Sequence, residues 1–169
     1  MTKTAWLVRS LFALLAFFVF VPNAFAWGCK GHQTVALIAE ARLSPAARAG
    51  AEKILADAPI DPALKRYCDP TGLDPFADSS TWADDYRTQH PETGNWHFID
   101  IPRGASKKNL AQYCPPSEGC VTAALVSQIA ILRDKNSTAQ QRADALRFVL
   151  HFAGDIHQPC LQHSCERSA

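Results

Sequence analysis

The chain has 169 residues, with 17 lysines and arginines, 16 aspartates and glutamates, and a formal net charge of +1 at pH 7. This length suits a single domain with one hydrophobic core. A nearly neutral composition excludes the class of proteins that bind nucleic acid mainly through a strongly basic surface. Any activity must therefore reside in local motifs.

Residues 1–26 have the pattern of a secretory signal peptide. Two basic residues precede a continuous apolar run, and Ala24-Phe25-Ala26 is a small-x-small cleavage site. An N-terminal membrane anchor is the alternative, but the apolar run is short for a hydrocarbon core of about 30 Å. Cleavage after Ala26 would leave residues 27–169 as one exported domain, secreted or periplasmic, with no remaining membrane segment.

All six cysteines follow the predicted cleavage site, at Cys29, Cys68, Cys114, Cys120, Cys160 and Cys165. An exported protein can keep disulfides. Cys114 and Cys120 would close a short loop, and Cys29 with Cys68 a long one. A thiolate zinc site is the alternative, but the sequence has no C-x-x-C pair. Disulfides are favoured, and their pairing stays open.

The first half of residues 27–169 predicts helices separated by a loop. Apolar residues recur at helical spacing from Val35 to Leu43, through Leu37, Ile38 and Ala41. Ser44-Pro45 supplies an N-cap and a first-turn proline for a second helix that extends through Leu55. Residues 61–74 are rich in Pro, Gly and Asp and predict a loop with one short helix.

The second half continues the helical pattern. Asp74 to Thr88 predicts one helix with apolar points at Phe76, Trp82 and Tyr86, and Gln89 to Gly119 is irregular. Val121 to Arg133 and Thr138 to Ile156 predict two strong helices, the second capped by Ser137 or Thr138. The fold class is therefore all-α, with long loops.

His151 and Asp155 are the clearest candidate pair for chemistry. They are four residues apart, so their side chains project from one face of the last predicted helix. An imidazole and a carboxylate on one face are suitable ligands for a divalent metal. The alternative is an ordinary His–Asp pair on the surface of the helix.

Two further segments contain candidate ligands. Trp82-Ala83-Asp84-Asp85-Tyr86-Arg87 places paired acids and an arginine beside aromatic residues, and Asn95-Trp96-His97-Phe98-Ile99-Asp100 places a histidine and an aspartate in an apolar run. Both have structural alternatives. The first is also consistent with an exposed acidic turn, and the second with a core histidine whose hydrogen bonds are satisfied.

Signal cleavage would create one more candidate ligand, the α-amine of Trp27. Its unperturbed pKa near 8 lets a metal displace the proton. The amine nitrogen and the Trp27 carbonyl oxygen would chelate one ion, and His32, about one helical turn away, would add a ligand. The alternative is a buried tryptophan that anchors the terminus, with His32 as an ordinary helix residue.

Taken together, these motifs resemble those of the zinc-dependent S1/P1 nuclease family. They occur in the family's order and cover nearly all of residues 27–169. The matching motifs are Trp27-Gly28-x-x-Gly31-His32, Trp82-Ala83-Asp84-Asp85-Tyr86-Arg87, His97-Phe98-Ile99-Asp100 and His151-Phe152-x-Gly154-Asp155-x-x-Gln158-Pro159.

The resemblance implies a mostly helical phospholipase C/P1 nuclease-like domain with a cluster of three zinc ions in a cleft. Asp155 would bridge two of the ions. One ion would bind Asp84, His97, His151 and Asp155, and a second would bind the amine and carbonyl of Trp27, His32 and Asp155.

The resemblance also implies an activity and a substrate. Arg87 would contact phosphate, Phe98 would stack on a base, and Asp100 would hydrogen-bond the edge of that base. Asp84, Arg87 and Asp155 would be the catalytic residues. The implied activity is hydrolysis of single-stranded DNA and RNA to 5′-nucleotides, with removal of 3′-phosphates as a second activity, by a monomer.

The sequence departs from the family pattern at the third zinc. The family has a histidine ligand ten residues after His151, where this chain has Leu161, and its other two ligands would lie beyond Ala169. His157 and His163 are at unsuitable positions to replace them. The departure predicts a domain incomplete at its C-terminus, two zinc ions rather than three, and weakened activity.

Two other functions remain open on this sequence. A zinc phospholipase C shares the N-terminal tryptophan ligand and the helical trinuclear fold, but Arg87, Phe98 and Asp100 resemble the nuclease pattern instead. A non-catalytic exported protein that binds zinc or nucleic acid would explain the missing ligands of the third zinc.

Overall fold

The computed structural model describes residues 28–72, 74–102, 104–105 and 109–158. Trp27, the predicted signal peptide, Cys160, Leu161, His163 and Cys165 lie outside these ranges. Six α-helices are present in the described part: α1 Cys29–Glu40, α2 Pro45–Asp57, α3 Pro75–Ser80, α4 Trp82–Tyr86, α5 Val121–Arg133 and α6 Ala139–Asp155, with 3₁₀ helices at Pro91–His97 and Leu110–Tyr113.

The prediction of an all-α fold is confirmed, because the described residues form helices and no β-strand. A search of the same residues for helices long and apolar enough to cross a membrane finds none. The longest helix, α6, packs against α1, α2, α3, α4 and α5. It therefore lies at the centre of the domain and can carry side chains to its interior.

Local side chains set the helix ends where the sequence suggested. Ser44 Oγ accepts a hydrogen bond from Ala47 N at 3.2 Å, which caps α2. Thr138 and Gln141 form a reciprocal capping box at the start of α6. The N-cap of α6 is thus Thr138 rather than Ser137.

The apolar pattern of α1 gave the wrong buried face. Leu37 and Ile38 are 43% and 57% exposed, whereas His32 and Gln33 are buried with Ala36 and Glu40. Helix α1 contacts α3 and α6 with the polar-rich face. The contacts of α1 with these two helices therefore override its hydrophobic pattern.

The single helix predicted from Asp74 to Thr88 is also wrong, since the segment forms two short helices joined at Thr81. Asp74 caps α3 by accepting hydrogen bonds from Phe76 N at 2.8 Å and Ala77 N at 3.0 Å. At the junction, the carbonyl of Asp78 accepts from Arg66 Nη2 at 2.8 Å. This turn redirects α4 toward α6.

The hydrophobic core lies between α4, α5 and α6. Phe148 packs between Trp82 and Phe152, with its ring centroid 5.0 Å from that of Trp82 and 5.2 Å from that of Phe152. Helices α5 and α6 form the most extensive helix pair. This packing holds one face of α6 rigidly, and His151 extends from the same part of the helix.

Disulfides are confirmed in the described part of the chain. Cys29 is bonded to Cys68, which ties the start of α1 to the loop before α3. Cys114 is bonded to Cys120, which closes a short loop before α5. The thiolate-zinc alternative is therefore excluded for these four cysteines.

Candidate metal centre

Four separate elements deliver buried ligand-type side chains to one place. Helix α1 contributes a histidine, α4 an aspartate, the 3₁₀ helix Pro91–His97 its last residue, and α6 a histidine and an aspartate. Every one belongs to the predicted site, and all except the partly exposed Asp84 are buried. The five residues are His32, Asp84, His97, His151 and Asp155.

Three ligand atoms of this cluster lie within 3.3 Å of one another, and a fourth lies close to two of them. His97 Nδ1 and His151 Nε2 are 3.0 Å apart, and each is 3.3 Å from Asp155 Oδ2. Asp84 Oδ1 is 3.8 Å from the first nitrogen and 3.7 Å from the second. Ligand atoms about 2.1 Å from a tetrahedral zinc are about 3.4 Å apart, so the spacing of the His97, His151 and Asp155 atoms suits such an ion.

The second oxygen of Asp155 faces a different histidine. Asp155 Oδ1 is 3.6 Å from Nε2 of His32. The imidazole of His32 stacks on that of His151 with ring centroids 3.9 Å apart and an angle of 15° between the rings. One carboxylate therefore spans two groups of ligands, which is the geometry of a carboxylate that bridges two ions.

A glycine makes room for the ring of His32. A Cβ atom built on Gly154 would lie 3.0 Å from His32 Nδ1, which is closer than real Cβ contacts allow without movement of the neighbour. Because Gly154 precedes Asp155 on α6, the small residue and the carboxylate are placed together. The space needed by the ring of His32 thus explains why a glycine precedes Asp155 in the sequence motif.

A backbone carbonyl fixes the orientation of His151. Its Nδ1 donates a hydrogen bond to Ser80 O at 2.7 Å, at the end of α3. In the neutral ring, this leaves a lone pair on Nε2, which is the atom directed at Asp84, His97 and Asp155. Histidines that bind metals commonly have their second nitrogen held in this way.

The environment shifts the pKa values of the cluster in different directions. Burial and the adjacent His151 lower the pKa of His32 to about 4, and burial lowers that of His97. Burial also opposes protonation of His151, but the carboxylates of Asp155 and Asp84 outweigh it and raise its pKa. Burial likewise opposes ionisation of Asp155, yet the contacts with His151 and His97 lower its pKa. Near neutral pH, the cluster thus contains a carboxylate and at least two neutral imidazoles.

The geometry excludes three of the structural alternatives that the sequence left open. His151 and Asp155 are 1% and 3% exposed, so they are not a surface pair. Asp85 is fully buried, which excludes an exposed acidic turn at that position. The buried His97 Nε2 has no hydrogen-bond partner among the described residues, so His97 is not a core histidine with satisfied hydrogen bonds.

The predicted substrate residues differ in exposure, and a contact with the cluster is seen for Arg87. Arg87 is half-exposed at the end of α4, and its Nη2 is 3.1 Å from Asp84 Oδ1. Phe98 directly follows His97 and is partly exposed, and Asp100 is exposed. Trp27 lies outside the described residues, one position before Gly28. The roles of these residues remain predictions.

Sequence reasoning missed the contacts that support the ligands. The carbonyl of Ser80 and the space at Gly154 have no signature of their own, since each depends on how two helices meet. Arg66 gave no signal either. The sequence identified Asp85 only as the neighbour of Asp84. The two adjacent aspartates differ in environment, since Asp85 is fully buried and Asp84 is partly exposed.

The fold and the cluster define a helical protein with a His/Asp centre suited to one or more divalent metals. A family model described as S1/P1 nuclease matches residues 27–168. The chain therefore belongs to the S1/P1 nuclease family.

Individual relatives agree with this assignment. The chain is 32% identical to Nuclease P1 of Penicillium citrinum over 140 residues, which cover 79% of this chain and 46% of that protein. It is 30% identical to Nuclease S1 of Aspergillus oryzae over 149 residues, covering 84% and 46%. For Endonuclease 2 of Arabidopsis thaliana the identity is 27% over 147 residues, covering 82% and 46%. The chain thus spans about half the length of the curated relatives it matches.

Proposed function

We propose that this protein is an exported, zinc-dependent hydrolase that cleaves phosphodiester bonds in single-stranded DNA and RNA. The observation that supports it best is the close approach of ligand atoms from His97, His151 and Asp155, with Asp84 Oδ1 within 3.8 Å of the two nitrogens. Family membership supplies the reaction class, and the relatives named above are nucleases.

The donor set fits zinc on chemical grounds. Two imidazole nitrogens and two carboxylate oxygens match zinc's usual ligands and coordination number. We propose that this set holds one ion. A second would be held by His32, the other oxygen of Asp155, and the amine and carbonyl of Trp27 after cleavage behind Ala26. Two ions are proposed for this chain.

Bound zinc would supply the charge and the activated water that phosphodiester hydrolysis needs. The protein's own residues would position the substrate. Arg87, which is half-exposed beside Asp84, would donate to a phosphate oxygen and stabilise the charge that develops there. Zinc would also provide the positive charge that a nearly neutral chain lacks.

Substrate choice is proposed to depend on the segment that follows His97. Phe98 is partly exposed and directly follows His97 in the chain. A base stacked on its ring would have to leave its neighbours, which would favour single strands over duplexes. Asp100 is exposed and would accept a hydrogen bond from the edge of the base. The expected products are 5′-nucleotides, with 3′-phosphate removal as a second activity.

The test combines metal counting with an assay of single-stranded DNA beside phosphatidylcholine. The full chain is exported with its own leader, and zinc per chain is measured by native mass spectrometry. Two zinc ions and DNA cleavage are expected, with one ion lost when an extra residue precedes Trp27. His151→Gln should abolish cleavage. His157→Gln is the matched control, because this exposed histidine on the same helix end bonds Ala153 O.

Three results would contradict the proposal. Exclusive hydrolysis of the lipid would make the protein a phospholipase. Zinc uptake without cleavage of either substrate would make it a binding protein. Equal loss of activity in His151→Gln and His157→Gln would show that cleavage does not depend specifically on the His/Asp cluster.

A further inference from the structure

We infer that the ion pair between Arg66 and Asp85 positions the ligand cluster and sets its affinity for metal. The pair lies outside the cluster, and neither residue is one of its ligands. The inference rests on the proposed function, since it concerns how tightly and in what geometry Asp84 and His151 bind zinc.

Asp85 is the buried anchor of α4. It is fully buried, and both of its carboxylate oxygens have partners: Oδ2 is 2.5 Å from Arg66 Nε, and Oδ1 is 2.5 Å from the backbone nitrogen of Tyr67. Burial of an ionised carboxylate is costly unless it is paired and hydrogen-bonded. These bonds to Asp85 therefore restrict the position of the adjacent backbone, which carries Asp84.

Arg66, which pairs with Asp85, also bonds the turn between α3 and α4. Its Nη2 donates to Asp78 O at 2.8 Å and to Thr81 Oγ1 at 2.9 Å. Between those two residues lies Ser80, whose carbonyl accepts the hydrogen bond from His151 Nδ1. One guanidinium thus holds both the segment that carries Asp84 and the carbonyl that orients His151.

The loop that carries Arg66 is itself fixed to the other side of the centre. Tyr67, which donates to Asp85, is followed by Cys68, and Cys68 is bonded to Cys29 at the start of α1. Helix α1 carries His32. The loop therefore connects the segments that carry or orient His32, Asp84 and His151. The planar guanidinium of Arg66 donates several hydrogen bonds at once, which a lysine ammonium cannot reproduce in this geometry.

The test compares two variants of the pair with one variant of a second buried arginine. Arg66→Lys keeps the charge but loses the fork, and Asp85→Asn keeps the shape but loses the charge. Arg147→Lys is the control, because Arg147 is even more deeply buried than Arg66 and bonds Asp144 Oδ1 and Ala58 O, neither of which belongs to a ligand or its neighbour. Zinc affinity, the visible absorption spectrum of the Co²⁺-substituted full-length protein and the melting temperature are measured for each.

Both pair variants are expected to bind zinc about 10–100-fold more weakly, as when supporting contacts of metal ligands are lost, and to show an altered Co²⁺ spectrum. Arg147→Lys should melt at a lower temperature with unchanged zinc affinity and spectrum. Wild-type affinity and spectrum in either pair variant would overturn the inference, as would failure of both variants to fold, because the pair would then serve the fold alone. Absence of zinc binding by the wild-type chain would instead refute the proposed function.

Discussion

The imidazole rings of His32 and His151 stack with their centroids 3.9 Å apart, although the two residues are contributed by the first and the last described helix. Two imidazolium ions at this distance would repel each other inside the protein. Burial and the neighbouring His151 accordingly lower the pKa of His32 to about 4. Stacking thus favours a neutral His32, which is the protonation state that binds metal.

This relationship predicts how the stability of the metal-free protein depends on pH. The ordinary pKa of histidine near 6.5 applies to the unfolded chain, and the folded value of His32 is about 4. Between these values, the unfolded state binds a proton that the folded state does not. The contribution of His32 to stability should therefore fall by about 1.4 kcal/mol per pH unit as the pH drops from 6.5.

Urea denaturation of chelator-treated protein at pH 7 and pH 5 measures this dependence. His32→Gln should lose less stability between the two pH values than the wild type, because its side chain does not titrate. His157→Gln removes an exposed histidine and should keep the wild-type slope. Equal slopes in all three proteins would show that His32 titrates at its ordinary pKa.

Gly154→Ala tests the space that α6 leaves for His32. The added Cβ would lie 3.0 Å from His32 Nδ1, so the ring has to shift by a few tenths of an ångström from its position near Asp155 Oδ1. We expect loss of one zinc ion, with the ion at Asp84, His97 and His151 retained. Native mass spectrometry counts the ions directly.

Gly50→Ala is the control for that substitution. Gly50 lies inside α2, and no atom of the described residues lies within 4 Å of its Cβ position apart from its chain neighbours and the helix's own backbone. The change should keep both ions and stabilise the protein by up to about 1 kcal/mol, since alanine favours a helix more than glycine. Retention of two ions in Gly154→Ala would show that the ring of His32 adjusts without losing its metal.

Helix periodicity and capping residues were sufficient to predict most of the helices. Ser44 and Thr138 act locally, so their effect can be read from a few neighbouring residues. The break at Thr81 could not be predicted in this way, because it depends on Arg66, which lies 15 residues earlier. The exposed Leu37 and Ile38 show the same limit, since the choice of the buried face of α1 depends on contacts with other helices.

The candidate site was predictable in its ligands but not in its supports. His151 and Asp155 share a helix face, and that relationship is visible as a spacing of four. The proximity of His32, Asp84 and His97 follows from the tertiary fold, and only the resemblance to a family indicated it beforehand. Ser80 acts through its backbone carbonyl, which any residue would provide, so its identity contains no signal.

Asp155→Asn tests whether one carboxylate serves two ions. An amide keeps the size of the side chain but lacks its negative charge. In the wild type, Oδ1 of the carboxylate faces His32, and Oδ2 faces His97 and His151. We expect loss of both ions and of cleavage of single-stranded DNA. Asp57→Asn, at an exposed pair with Lys53, should change neither. Loss of a single ion in Asp155→Asn would contradict the bridging role.

The two disulfides of the described residues should contribute unequally to stability. In the chain-entropy description, a bond between residues 39 apart, as in Cys29–Cys68, stabilises by about 4 kcal/mol, and one between residues six apart, as in Cys114–Cys120, by about 2.4 kcal/mol. The serine double variant of the long bridge should therefore unfold at a lower urea concentration. This variant should also lose the zinc ion proposed at the amine of Trp27, because Cys29 is only two residues from Trp27. The variant of the short bridge should keep that ion. Equal destabilisation with both ions retained in each variant would show that the long bridge has no special relation to the metal centre.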